Sequence, residues 1–387
     1  MKHIISLGML FFTTLMLDAA AEKSPRGRRR KSGVVKPELY VGVVSKHVME
    51  KQSCFPVVQQ DFLNRPDQLL LGMFYGSGSP HAADYAAKKF PGELAEQFKV
   101  KGKTDADVQC ALQDTVRKID ADFNKQFIRA LDGRDPQELS STQYYRENGG
   151  ESEATALAVL LHRSDFFLAH LGDLRALIVL NKTEEKKFPV IQITTEHTAD
   201  SPREIERLKN AGIHMDSYKG DCSYTTRFIG GMRHKPTYGK YFLDFKGPDA
   251  GNSIEAAIAK GMQDDSYRAL VLMCCDTLEY LIQREIQRRI GRGEEKRVVQ
   301  HDKDGLNDAA NERVAELVLS ILDEPTNNAQ DAAEALVRYT DNAQVIVLDF
   351  NAWKKHFQQV KSDSKDTSAV IISSEPASPD SSCFICK

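Results

Sequence analysis

Four short apolar runs set close together in the middle of the chain, at residues 155–161, 166–170, 175–180 and 188–194, constrain the fold more than any other feature. Short strands with brief polar joins of this kind pair antiparallel. A buried strand is also expected at 68–74, a fifth central one at 270–274, and a closing one at 344–350. Helical spacing governs the rest. Val108, Leu112, Val116, Ile119, Phe123 and Phe127 recur along a long amphipathic helix at 104–131, for which Thr104 and Asp107 suit the start and Gly133 the end. Further helices are expected at 81–90, 276–290, 308–322 and 331–338. Ser201-Pro202-Arg203-Glu204 reads as a capping box with proline at the first helical position, closed by Gly212. Residues 132–151 are polar and read as a loop. Strands clustered centrally with helices segregated around them define an α+β layered fold.

Composition narrows the class. Of 387 residues, 52 are basic and 55 acidic, a net charge of −3 that gives no electrostatic footprint for nucleic acid. Beyond the first two dozen residues no stretch is apolar enough to span a bilayer. Seven cysteines, an odd number, do not form a disulfide framework. Cys274 and Cys275 are expected on opposite sides of a strand, as reduced core residues of a cytoplasmic protein. Cys383 and Cys386 make no prenylation box, because Phe384 stands fourth from the end.

The first residues point elsewhere. Met1-Lys2-His3, an apolar run at 4–17 and Ala19-Ala20-Ala21 have the form of a secretory signal, so a secretory location is the alternative if residues 1–21 act as one. Asn181-Lys182-Thr183 fits a glycosylation acceptor, a triplet common by chance. The basic run at 26–31 reads as a solvated arm. Residues 361–387 are Ser-rich and expected to be disordered. The division is therefore a signal-like segment and basic arm at 1–34, a folded domain at 35–352, and a short, largely disordered tail at 353–387.

Five segments in order carry a family resemblance. Gly72-Met73-Phe74-Tyr75-Gly76-Ser77-Gly78 resembles G-V-F-D-G-H-G, and Ala169-His170-Leu171-Gly172-Asp173-Leu174-Arg175-Ala176 resembles A-N-V-G-D-S-R-A. Glu196-His197, with Pro202, Glu204, Arg207 and Ala211-Gly212, resembles a D-H-x-P helix. Thr226-Arg227-Phe228-Ile229-Gly230 resembles S-R-x-x-G. Ala333-Glu334-Ala335-Leu336-Val337 and Asp341-Asn342-Ala343-Gln344-Val345 resemble a closing helix and D-N strand. Together they resemble the metal-dependent, type 2C, Ser/Thr protein phosphatases. That resemblance implies a four-layer αββα sandwich of two antiparallel sheets, with a two-metal site at one edge whose ions hold a nucleophilic water and polarise the phosphoryl oxygens. Such hard ions take oxygen ligands, chiefly carboxylates.

The same resemblance implies that this pocket is degenerate. The bridging aspartate falls on Tyr75, a phenol that is neutral at physiological pH and a poor ligand for magnesium, and the histidine beyond Gly76 falls on Ser77. In Lys46-His47-Val48-Met49-Glu50-Lys51, which resembles R-x-x-M-E-D, Lys46 replaces a bidentate arginine, Glu50 is kept, and Lys51 replaces an aspartate. Two like unit charges ~4 Å apart repel by roughly 4 kcal/mol at intermediate dielectric, and a divalent ion facing Lys51 would about double that. Asp173, Asp341 and Asn342 are kept. The strand-end aspartate falls on Cys275 without a gap, or on Asp276 with a one-residue shift; Asp276-Thr277-Leu278-Glu279 also reads as a helix cap. The implied catalytic set is empty, with no metal cofactor or at most one weakly bound Mg or Mn. Within the family the resemblance is to an inactive adaptor branch whose members bind a MAP-kinase-kinase kinase, the TGF-β-activated kinase. The alternative is a residual phosphatase with an altered site kept by Asp341, Asp276, Asp173 and Glu50. Trp353 and Phe357, one helical turn apart, are candidates for partner docking, against packing on the domain itself.

Overall fold

The computed structural model describes residues 40–46, 53–77, 79–101, 104–129, 142–162, 165–182, 188–210, 225–232, 235, 255–259, 266–338 and 343–359. They belong to one of the two units into which the chain divides, Pro37–Lys387; the other, Met1–Lys36, lies outside the described residues.

The strands are β1 (Val41–Lys46), β2 (Ser53–Gln60), β3 (Gln68–Ser77), β4 (Glu153–His162), β5 (Asp165–Leu171), β6 (Arg175–Leu180), β7 (Val190–Gln192), β8 (Ile229–Gly230), β9 (Glu255–Ala259), β10 (Tyr267–Met273) and β11 (Ala343–Asp349). One sheet has the order β1-β11-β10-β6-β7. The other runs β2-β3-β4-β5-β9, with β8 pairing β4 at its side. The described pairings are antiparallel.

Alternation along each strand sorts side chains into layers. Leu69, Leu71, Met73 and Tyr75 of β3 join Leu157, Val159 and Leu161 of β4 in a core between the sheets, where Leu270, Leu272, Ile346 and Leu348 meet them from the other side. On the opposite face Leu70, Phe74, Ala156, Ala158 and Leu160 pack against α1 (His81–Val100) and α2 (Asp105–Arg129). The outer face of the first sheet, Val271, Met273, Val345 and Val347 among others, packs against α5 (Cys275–Gly291), α7 (Lys303–Leu322) and α8 (Ala329–Val337). Smaller helices are α3 (Gln143–Glu147), α4 (Pro202–Asn210) and α6 (Lys296–His301). The result is the expected helix–sheet–sheet–helix sandwich. Because both faces of each sheet are covered, the strands read as unbroken apolar runs instead of alternating ones.

Several expectations need correction. The helix expected at 81–90 continues through Pro91 to Val100; the proline lacks the N–H that would meet the Ala87 carbonyl, and one missing bond does not stop a helix whose next turns bury Leu94. The polar stretch at 132–151 contains α3, capped by the Thr142 hydroxyl, which accepts from the Tyr145 N–H. Strand β10 stops at Met273, so Cys274 and Cys275 do not alternate across a strand: Cys274 is the N-cap of α5 and Cys275 its first residue. Residues 350–359 form a further helix among the described residues, α9, which runs across the expected domain–tail boundary at 352 and 353. The tail residues beyond 359, Gly212 and Gly133 lie outside the described residues.

Candidate functional site at one end of the sandwich

Strand register gathers the sequence-flagged positions at one end. Across the second sheet, Tyr75 faces Cys54 on β2 and Thr155 on β4, and Gly76 faces Ser53 and Ala154. Across the first sheet, Lys46 pairs with Ala343, and Met273 lies between Arg175 and Val345. The ends of β1, β3 and β10 thus meet the starts of β4, β6 and β11. Glu50, Lys51, Asp341 and Asn342 lie outside the described residues, and Lys46, Ser77 and Asp276 are described as backbone only.

Tyr75 points into the layer between the sheets, 6% exposed, within the same apolar cluster as Cys54, Met73, Leu174 and Cys274. Gly76 has no room for a side chain: a Cβ there would lie 2.6 Å from the Ser79 carbonyl oxygen. The turn that follows is tied to α1, since the Ser152 hydroxyl donates to the Ser79 carbonyl (2.9 Å) and accepts from the Ala82 N–H (3.0 Å).

At the β10–β11 end a cysteine takes the fastening role. The Cys274 N–H donates to the Gln344 carbonyl (3.1 Å), and the Gln344 N–H donates back to Cys274 Sγ (3.2 Å), which also lies 3.3 Å from Thr277 Oγ1. Since the N-cap of α5 is Cys274, the cap expected at Asp276 is displaced. Asp276 is instead the second residue of the helix. Helix α5 starts there because β10 ends one residue before its apolar run does.

Asp173 sits half-buried on the 172–174 turn between β5 and β6. Gly172 has φ +103°, and a Cβ there would strike Thr155 Cγ2 at 2.2 Å, so the turn requires glycine. His197 grips it at both backbone atoms: its own N–H donates to the Gly172 carbonyl (2.8 Å), and its Nδ1 accepts from the Gly172 N–H (3.0 Å). Beyond the turn Arg175, 1% exposed, donates to Glu196 (2.9 Å from Nε) and to Asn311 on α7 (2.9 Å).

Next to this turn lies a buried charged cluster. Glu204 on α4 receives Arg207 (2.6 Å), Thr226 Oγ1 (2.5 Å) and Arg227 (3.0 Å from Nε). Burial would raise its pKa, but these hydrogen bonds outweigh burial and hold it down to about 2. Glu204 therefore does not close a capping box; the Ser201 N–H goes to the Thr198 carbonyl (3.0 Å). His170 and His197 stack beside the cluster with centroids 4.7 Å apart at 23°. Burial first, and then neighbouring cations, push them down to about 3 and about 2. Sequence reasoning missed this pair because 26 residues separate its members; its one signal is a polar side chain ending the apolar run at 166–170.

Trp353 and Phe357 stack at 5.6 Å with parallel rings. Trp353 is 5% exposed in the core between the sheets, alongside Tyr40 and Phe350. Trp353 is packed within the domain, while Phe357 beside it is half-buried.

Residues 44–316 match the family model for protein phosphatase 2C. With well over half its length matched, the chain belongs to the protein phosphatase 2C family. It is 27% identical over 193 residues to protein phosphatase 2C 1 of Paramecium tetraurelia, a match covering 48% of this chain and 58% of that protein. It is 26% identical over 156 residues to probable protein phosphatase 2C 32 of Oryza sativa subsp. japonica, covering 40% and 33%. The chain thus spans less than two thirds of these relatives. A serine-threonine phosphatase 2C from Toxoplasma gondii shares the fold at TM-score 0.50 and 15% identity, over 79% of this chain and 93% of that one. A C. elegans sex determining protein does so at TM-score 0.50 and 15% identity, over 81% and 66%.

The pair of divalent ions that the family implies would draw on Glu50, Asp341 and Asn342, which lie outside the described residues, and on Asp276, described as backbone only. Among the described residues alone, no three His, Cys, Asp or Glu side chains converge. Tyr75 brings a phenol into the apolar layer between the sheets. No described helix is long and apolar enough to cross a membrane.

Proposed function

We propose that this chain is a pseudophosphatase, a protein phosphatase 2C domain that acts by binding and regulating a MAP-kinase-kinase kinase of the TGF-β-activated type instead of hydrolysing phosphoesters. What supports the loss of catalysis is Tyr75, which the motif resemblance aligns with the bridging aspartate and whose side chain lies at the end of β3 in the apolar layer between the sheets. A pair of divalent ions needs anionic oxygen at the point they share, and a neutral phenol among Met73, Leu174 and Cys274 supplies none. Lys51 in place of an aspartate works in the same direction. The adaptor role rests on the sequence resemblance to the inactive branch of the family. On this reading the pocket of Lys46, Glu50, Lys51, Tyr75, Gly76, Ser77, Asp173, Asp276, Asp341 and Asn342 holds at most one Mg or Mn weakly. The folded domain is cytoplasmic and extends through α9.

Purified full-length chain incubated with a phosphoserine peptide and Mn²⁺ or Mg²⁺ tests this directly. No turnover above the metal-only blank is expected. Turnover that disappears in Asp341→Ala would establish the rival reading, a residual phosphatase with an altered site. Binding of the purified chain to purified TGF-β-activated kinase, measured by calorimetry, tests the partner separately.

A further inference from the structure

We propose that the stacked His170–His197 pair is an acid-sensitive latch that holds the 172–174 turn, and with it one wall of the candidate site, against the 196–198 and 225–227 segments. Three segments meet at His197. Its backbone N–H and its Nδ1 both engage Gly172. Its carbonyl accepts from the Thr226 N–H at 2.8 Å, and the Thr198–Thr225 bridge lies one residue further on. His170 on β5 packs flat against the ring from the inter-sheet face. Release of this one side chain removes the Gly172–Nδ1 bond and the ring stacking, and leaves the turn held to its neighbours by the two backbone bonds through His197.

Protonation undoes the contact for a geometric reason. An Nδ1 that accepts from the Gly172 N–H cannot carry a proton of its own, so the bond exists only with neutral His197. A second imidazole 4.7 Å away and the nearby guanidiniums of Arg227 and Arg207 make a new positive charge unwelcome. Glu204 is the carboxylate facing the pair, and it is already engaged by Arg207, Arg227 and Thr226. Burial first, and then these neighbouring cations, hold both rings neutral far below their ordinary range. An open turn would expose them to water and let them titrate near 6.5, so acid favours the open form.

Hydrogen exchange on the full chain tests the latch. At every pH the amides of Gly172, His197 and Thr226 are expected to be less protected than those of Leu71 and Leu160 in the central strands. Between pH 7.5 and 5.5 their protection falls about tenfold for each histidine proton taken up on opening, about a hundredfold for both. His197→Asn offers an oxygen close to the place of Nδ1 and does not titrate; with His170→Phe added, the pH dependence disappears. The proposal is overturned if these three amides share the protection of the strand amides throughout, which means that the pair opens only with the whole fold. It is also overturned if their protection is unchanged by acid. Should the double variant fail to fold, the native chain's profile decides alone.

Discussion

Ser201 and Glu204 have the spacing of a capping box, and yet the Glu204 carboxylate turns inward, 1% exposed, to neutralise Arg207 and Arg227. Removing one member of a buried, hydrogen-bonded cluster leaves its partners charged and dry. Glu204→Ala is expected to destabilise the chain by about 3–5 kcal/mol, read from urea denaturation, whereas loss of a surface cap removes about 1 kcal/mol. Gly172 gives a second residue-scale prediction. Alanine there adds both the strain of φ +103° and a Cβ against Thr155. Gly172→Ala should lower stability by about 2–5 kcal/mol. Shrinking the neighbour with Thr155→Ala should recover only the steric part.

Helix α9 crosses the expected boundary between domain and tail, and its first turn is built into the sandwich. Asp349, the last residue of β11, accepts from the Asn351 N–H (2.9 Å) and the Ala352 N–H (3.2 Å), and it also pairs with buried Arg268. Arg268 in turn donates to the Leu322 carbonyl at the end of α7 (2.7 Å). One carboxylate thus joins β10, β11, α7 and α9. Trp353, one turn into α9, fills the inter-sheet core. Trp353→Ala is expected to destabilise by about 3–5 kcal/mol in thermal or chemical melts. A chain ended at residue 352 should likewise lose its cooperative transition, whereas one ended after 359 should keep it. Retention of full stability by the shorter chain would place the boundary back at 352.

At the scale of the molecule, acid is the condition that separates its charged groups. His170 and His197 have folded pKa values lowered to about 3 and about 2, so the unfolded chain binds protons that the fold refuses once pH drops below 6.5. Their stabilising effect is complete above 6.5 and declines below it by about 1.4 kcal/mol per pH unit for each ring. Glu204, held down to about 2, contributes fully above its ordinary 4.5 and loses that contribution only between there and 2. Stability from urea midpoints should therefore fall by about 3 kcal/mol between pH 7.5 and 5.5, before any carboxylate of this cluster titrates. A flat profile over that interval would show that the rings already titrate normally in the fold.

The central strands, the long helix α2 with its Thr104–Asp107 cap, and the family resemblance were legible in the sequence, because periodicity, capping and short motifs are local properties. The cap of α8 was likewise open to reading, with Asn328 and Asp331 at the right spacing. Layer assignment was not. In strands covered on both faces Tyr75 and Phe74 look equally apolar, and only the second sheet decides that Tyr75 faces the shared interior. Nor did spacing reveal that Cys274, Glu204 and His197 would fasten segments far away along the chain. The sequence by itself determined the central strands, the long helices and the family to which the chain belongs. The tertiary structure decided which polar groups meet, because burial makes a hydrogen-bond partner obligatory and close packing selects it irrespective of distance along the chain.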